Sequence, residues 1–230
     1  MQKWMALAGL ASRRKAEAYI AAGRVTVNGI VVTALGAKAE TTADTVCLDG
    51  QPVLLQDEKA YIMLHKPTGV ITTAADPQGR RTVVDMVPSK LRLFPVGRLD
   101  YDSSGLLLLT NDGDFAYCLT HPSHAVTKEY VARLRGTPAE AALECFRAGL
   151  VIDGHMTAPC DIQVIPSAEH NAWVRIMLKE GRNRQIRKMC DVIGHPVLSL
   201  KRVAVGAVQL GSLPKGQWRH LTPAEVAALR

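Results

Sequence analysis

Gly97-Arg98-Leu99-Asp100-Tyr101-Asp102-Ser103-Ser104-Gly105 runs straight into Leu106-Leu107-Leu108-Leu109-Thr110, and the acidic turn Asn111-Asp112-Gly113-Asp114 follows. The pattern is a polar loop, a buried strand and a turn. A loop held against a rigid buried strand is a good platform for a catalytic carboxylate. Two carboxylates in it compete for that role, Asp100 and Asp102. Alternatively, both are turn residues bonding their own backbone. The residues alone do not choose.

Working outward, the chain from Glu58 onward mixes short strands with a few helices and shows no regular βαβ alternation. That predicts an α+β domain with a mixed, largely antiparallel sheet. Upstream, Leu64-His65-Lys66-Pro67-Thr68-Gly69-Val70-Ile71-Thr72-Thr73 reads as strand, turn, strand, with Lys66 solvated at the turn. Downstream, Thr127 to Leu134 reads as a strand with Tyr130, Ala132 and Leu134 on one face. Tyr130 either packs there as an ordinary aromatic or stacks on a base with its hydroxyl poised for proton transfer.

Lys179 to Met189 is the densest basic segment, five cations and one anion in eleven residues. Gly181 ends a strand spanning Trp173 to Leu178, and Asn183 is expected to cap a helix reaching Ile193. Ile186, Met189, Cys190 and Ile193 recur at helical spacing and should bury. Arg184, Arg187 and Lys188 form a second stripe, and clustered cations there want phosphates or a buried carboxylate. At the C-terminus, Thr222-Pro223-Ala224-Glu225 is a capping box that opens a last helix.

A first block ends near Asp57, with Asp57-Glu58-Lys59 as a short polar linker. Ser12 can cap a helix from Arg13 to Ala22 that Gly23 closes. Arg24 to Val32 holds a strand, an Asn28-Gly29 turn and a second strand, and a third strand is expected near Thr45 to Leu48. Arg13, Arg14 and Lys15 crowd the first helical turn, where the helix dipole disfavours cations. An external phosphate would relieve that conflict.

Composition narrows the classes. With 28 Lys and Arg against 21 Asp and Glu, the 230-residue chain carries a net charge of +7, which favours a polyanion partner. The five cysteines are scattered and form no C-x-x-C pair, which points to a reducing, cytoplasmic setting. The seven histidines form no metal-binding spacing. No aliphatic run is longer than four residues, far short of the roughly 20 a membrane span needs.

The first block resembles the S4 RNA-binding module, through Ser12-Arg13-Arg14-Lys15-Ala16-Glu17-Ala18-Tyr19-Ile20 and Gly23-Arg24-Val25-Thr26-Val27-Asn28-Gly29. Its lead-in, Met1-Gln2-Lys3-Trp4-Met5, is shorter than usual, so a clipped first helix is expected. Taken with His65-Lys66-Pro67-Thr68-Gly69, Gly97-Arg98-Leu99-Asp100, Lys128-Glu129-Tyr130 and Glu180-Gly181-Arg182-Asn183-Arg184-Gln185-Ile186-Arg187, the chain resembles the bacterial ribosomal RNA pseudouridine synthases of the RsuA/RluB type.

The resemblance implies an S4-like module at residues 1–57, then a catalytic domain at 58–230 with two subdomains around one sheet and a cleft between them. It implies isomerisation of one flipped-out uridine in ribosomal RNA, of the 23S type by the wording of Arg182 to Arg187. Small-subunit (16S) RNA, or a non-catalytic role in ribosome assembly, is the alternative. Asp100 matches the catalytic aspartate, acting on C1′ as a nucleophile or at C2′ to give a glycal. Arg187 matches the basic residue that pairs with it, and Tyr130 the tyrosine that stacks on the uracil. Arg98 would support the flipped nucleotide. Arg182, Arg184 and Lys188, more weakly Lys66, and the S4 cations Arg13, Arg14 and Lys15 would grip the RNA. No metal or other cofactor is implied, the partner is ribosomal RNA or a precursor particle, and the expected state is a monomer.

Overall fold

A computed structural model describes residues 1–40 and 43–230. The chain forms two compact units, Met1–Ala60 with Ser89–Arg92 and Asn111–Gly113, and Tyr61–Pro88 with Leu93–Thr110 and Asp114–Arg230.

In the first unit, α1 (Gln2–Leu7) and α2 (Arg13–Ala21) precede four short antiparallel strands in the order β2-β1-β3-β4: β1 (Val25–Val27), β2 (Ile30–Val31), β3 (Val46–Leu48) and β4 (Gln51–Pro52). The Ser12 hydroxyl accepts from the Lys15 amide at 3.2 Å, so the expected cap forms. Ala16 and Ile20 from α2 are fully buried with Met5, Val25 and Val46. Trp4 donates its indole N–H to the Val53 carbonyl at 3.1 Å. Asn28 and Gly29 both have positive φ, 51° and 81°, as a type I′ hairpin requires. Asp49 and Gly50 repeat the device and turn β3 into β4, a strand too short for the sequence pattern to betray.

The second unit begins with β5 (Tyr61–Lys66), β6 (Phe94–Val96), β7 (Ser104–Thr110) and α3 (Gly113–Thr120). A short 3-10 helix, Pro122–His124, leads to β8 (Lys128–Leu134), α4 (Glu140–Ala148), and the β9 (Val151–Ile152) and β10 (His155–Met156) hairpin. Then come β11 (Asp161–Ile165), β12 (Trp173–Leu178), α5 (Gln185–Val192), β13 (Val197–Val205), β14 (Val208–Gln209), β15 (Trp218–His220) and α6 (Pro223–Ala228). The main sheet runs β11-β12-β8-β13-β7-β5-β15, with β6 added on β7 and β14 on β13. Every pair in it is antiparallel except β13 with β7. The α+β class with a mixed, largely antiparallel sheet is therefore as expected.

Two cores flank the middle of that sheet. One gathers Leu143, Phe146, Ile162, Ile176 and Met189 around β8, β11, β12, α4 and α5. The other gathers Met63, Leu106, Leu108, Phe115 and Val208 around β5, β7, α3 and β14. The parallel contact that joins the halves depends on Gly105. Its φ is 114°, and a Cβ there would lie 2.1 Å from the Arg202 carbonyl oxygen.

Two local expectations fail. After Thr68-Gly69 no second strand forms; Ile71 makes a single bridge to Thr82. Asn183 does not cap α5; Arg184 does, in the left-handed conformation with φ 52° and no side-chain cap. Gln185 substitutes for the cap, its carbonyl accepting the Arg182 amide at 3.0 Å. Its amide nitrogen bonds the Glu180 carboxylate, which also accepts the Ala158 amide. The acid and the amide five residues apart close that loop, a pattern which capping rules do not anticipate.

Candidate active site

The loop before β7 is pinned from beneath. Lys66, the last residue of β5, is fully buried, which corrects the expectation of a solvated residue or a weak grip on RNA. Its ammonium donates to three carbonyls, Pro67 at 3.0 Å, Asp100 at 2.9 Å and Ser103 at 2.9 Å. Burial pulls its pKa from 10.5 to about 8, against the opposing charges of Asp100 and Asp102, with Arg202 lowering it further. Thr72 donates to the Leu99 carbonyl at 2.6 Å, and the Gly69 amide donates to the Tyr101 carbonyl at 2.8 Å. The backbone around Asp100 is held on several sides while its carboxylate stays 30% exposed.

The two competing aspartates have different surroundings. Asp102 receives both terminal nitrogens of Arg184, each at 3.1 Å. Arg187 reaches the same carboxylate at 3.2 Å and the Asp102 carbonyl at 3.0 Å. Burial alone would raise the Asp102 pKa, but the Arg184 hydrogen bond and the charges of Arg187 and Arg184 hold it below the ordinary value. Among the described residues, Asp100 has only Arg184 within ion-pair range, at 3.8 Å. The expected pairing of Arg187 with Asp100 is thus replaced by Arg187 on Asp102. The reason is register: α5 starts at Gln185, so Arg184 at its left-handed cap points at the loop first, and Arg187 lies one turn further along.

A cavity of 60 Å³ opens beside Asp100, and Arg98, Tyr130 and Arg184 line it too. A wider one of 490 Å³ shares Arg98, Tyr130 and Gly181 with it. The strand carrying Tyr130 is set by register, Tyr130 lying opposite Ile176 of β12 and Arg202 of β13. Asp100, Tyr130 and Arg98 are therefore brought together.

The remaining cations are placed differently. Arg182 donates to the Met156 carbonyl at 2.7 Å and pairs with Glu180 at 3.4 Å. Lys188 is bonded to Asp153. Arg13, Arg14 and Lys15 stand exposed on the first turn of α2, with no ion pair to a carboxylate among the described residues. Arg202 is the residue the sequence reading passed over. It is 3% exposed, and Leu200, Arg202 and Ala204 are all buried at alternate positions. A charge within an apolar alternation was the available signal. Burial pushes the thiols of Cys160 and Cys190 up to about 11 and about 12, which leaves both inert as nucleophiles at neutral pH. Among the described residues, no group of three or more His, Cys, Asp or Glu could hold a metal, and no helix is long and apolar enough to cross a membrane.

A carboxylate on a pinned loop, a tyrosine lining the same cavity and several cations beside them thus sit on a mixed sheet with two flanking cores. Residues 60–191 match the RNA pseudouridylate synthase family and residues 2–42 match the S4 domain, and the chain belongs to that synthase family. It is 44% identical over 233 residues to "Ribosomal large subunit pseudouridine synthase B" of Bacillus subtilis (strain 168), covering 100% of this chain and 95% of that protein. A protein of the same name from Vibrio cholerae is 38% identical over 237 residues, covering 100% of this chain and 74% of that one. A crystal structure of a pseudouridylate synthase superposes with a TM-score of 0.72 at 28% identity, covering 100% of this chain and 98% of that one.

Proposed function

We propose that this chain converts one uridine of ribosomal RNA, in the large subunit, to pseudouridine. Residues 1–57 act as the RNA-binding module and residues 58–230 as the catalytic domain, working as a cytoplasmic monomer. The observation that carries the reading is the Asp100 loop: its carbonyls are clamped by a buried ammonium, and Asp100 lines a small cavity together with Tyr130. The large-subunit assignment is supported by the relatives' names.

The target uridine leaves its stack, at a cost of a few kcal/mol that contacts with phosphates and the pocket offset. Asp100 attacks C1′ or removes a proton at C2′, and the uracil detaches. Held against Tyr130, the base rotates and its C5 bonds C1′, as the Asp100–C1′ ester bond breaks in the first case or as Asp100 returns the proton to C2′ in the second. Loss of the C5 proton, assisted by the Tyr130 hydroxyl, completes the product. Arg98 supports the extruded nucleotide. Arg184 and Arg187 act through Asp102, fixing the loop from the side opposite Lys66. Arg13, Arg14 and Lys15 hold RNA phosphates, while Arg182 and Lys188 contribute where the RNA replaces their present partners.

The test is tritium release from a large-subunit rRNA transcript carrying 5-tritiated uridine. Wild type should release the label, and Asp100→Asn should bind the RNA with unchanged affinity and release none. Release at the wild-type rate by Asp100→Asn would sink the assignment.

A further inference from the structure

The wider cavity holds more positive charge than the protein itself compensates. Arg98, Lys128, Lys179, Arg182 and Arg202 line it, against the single carboxylate of Glu180. Glu180 is already engaged by Gln185, the Ala158 amide and Arg182. Arg202 is the most telling member. Its side chain is almost wholly buried, yet its one hydrogen bond among the described residues runs from Nε to the Leu106 carbonyl at 2.7 Å. Its two terminal nitrogens have no partner among the described residues. A buried guanidinium without an anion is costly, and a second cation beside it makes the cost larger. That second cation is present: Lys128, whose ammonium bonds, among the described residues, only the Val126 carbonyl at 3.0 Å. Burial and then the charge of Arg202 lower the Lys128 pKa.

Placement says which anion. Lys128 and Tyr130 lie two residues apart on β8, hence on one face, and Arg202 is the cross-strand partner of Tyr130 on β13. Tyr130 and Arg98 also line the cavity of Asp100. The cationic pocket thus begins where a base held against Tyr130 ends.

We propose that Arg202 and Lys128 form a phosphate subsite that takes the phosphodiester adjoining the target uridine. This rests on the proposed function, and it adds a residue pair that secures the extruded nucleotide by its backbone while the base stays free to rotate. Phosphate contacts position without reading sequence, as a base that must turn over requires.

The test is an NMR titration of the full chain with uridine 3′,5′-bisphosphate, uridine and inorganic phosphate. The bisphosphate should bind at least about tenfold tighter than uridine, since each charge-assisted contact is worth about that factor or more. Arg202→Gln should abolish that advantage and leave uridine binding as it was, and Arg202→Lys should keep part of it. Lys128→Gln should act in the same direction and stands in if Arg202→Gln does not fold. The proposal is overturned if bisphosphate and uridine bind alike or if the bisphosphate fails to bind at millimolar concentration. It is equally overturned if the advantage survives both Gln variants, or if inorganic phosphate alone binds as tightly as the bisphosphate. Failure here with tritium release intact removes only the subsite. Bisphosphate binding without pseudouridine formation removes the proposed reaction and leaves an anion site.

Discussion

Asp100 and Asp102 differ in what surrounds them, not in chemistry. Sequence left both open because each sits in the same polar loop, and only resemblance to a family favoured Asp100. The structure shows two guanidinium groups on the Asp102 carboxylate, while Asp100 has one guanidinium, at 3.8 Å, among the described residues. Lys66 could not be read correctly from a Pro-Gly turn, because its burial depends on a loop 34 residues away in the chain. Its lowered pKa makes a signed prediction. With a folded value of about 8 against an ordinary 10.5, the unfolded chain binds the extra proton between those pH values. Stability therefore rises with pH across that window. Urea unfolding should show wild type gaining on Lys66→Met as pH climbs from about 8, and parallel pH profiles for the two proteins would refute the burial of a charged Lys66. Lys66→Met should also lose most tritium release at neutral pH, since two carbonyls of the Asp100 loop, those of Asp100 and Ser103, lose their donor.

At the scale of elements, strands and helices with strong local signals were legible: the capped α2, the Asn-Gly hairpin, the leucine strand, β12 and the capping box of α6. In α6 the Thr222 hydroxyl accepts the Glu225 amide at 3.2 Å, and the Glu225 carboxylate accepts the Thr222 amide at 2.8 Å. The Arg219 hydrogen bond, joined by the bond from Thr222, holds the Glu225 pKa down at about 2 against a modest opposing effect of burial. Its stabilisation is complete above the ordinary value of 4.5 and is lost as pH falls toward 2. Glu225→Gln should cost about 1 kcal/mol at pH 7, the usual worth of a cap, and the gap to wild type should close in acid; a gap that persists at pH 2 would contradict the pairing. What was illegible depends on distant partners. The short β4, the missing strand after Gly69 and the left-handed Arg184 cap follow from tertiary contacts rather than from local pattern. The close approach at Gly105 is of that kind. Gly105→Ala should destabilise the catalytic domain by more than about 4 kcal/mol, the range of severe backbone and packing defects, seen as loss of the folded circular-dichroism transition. A folded variant of near wild-type stability would contradict the parallel β13–β7 contact.

For the whole molecule, the net charge of +7 and its concentration in a few segments are read directly from the sequence, whereas the use of each cation is not. Several cations expected to grip RNA are internally paired, and Arg202 is buried with no counter-charge in ion-pair range among the described residues. The exposed trio Arg13, Arg14 and Lys15 carries the clearest global expectation. Replacing all three by Gln should flatten the salt dependence of rRNA binding by about 0.7 to 0.9 per lost phosphate contact in a log–log plot, with filter binding across salt concentrations as the measurement. An unchanged slope would remove α2 from the interface. The most direct measurement is a map of pseudouridines in ribosomal RNA, by carbodiimide labelling and primer extension, from cells with and without this protein. The account predicts that one large-subunit uridine loses its mark and that wild type, but not Asp100→Asn, restores it. An unchanged map, or restoration by Asp100→Asn, would contradict it.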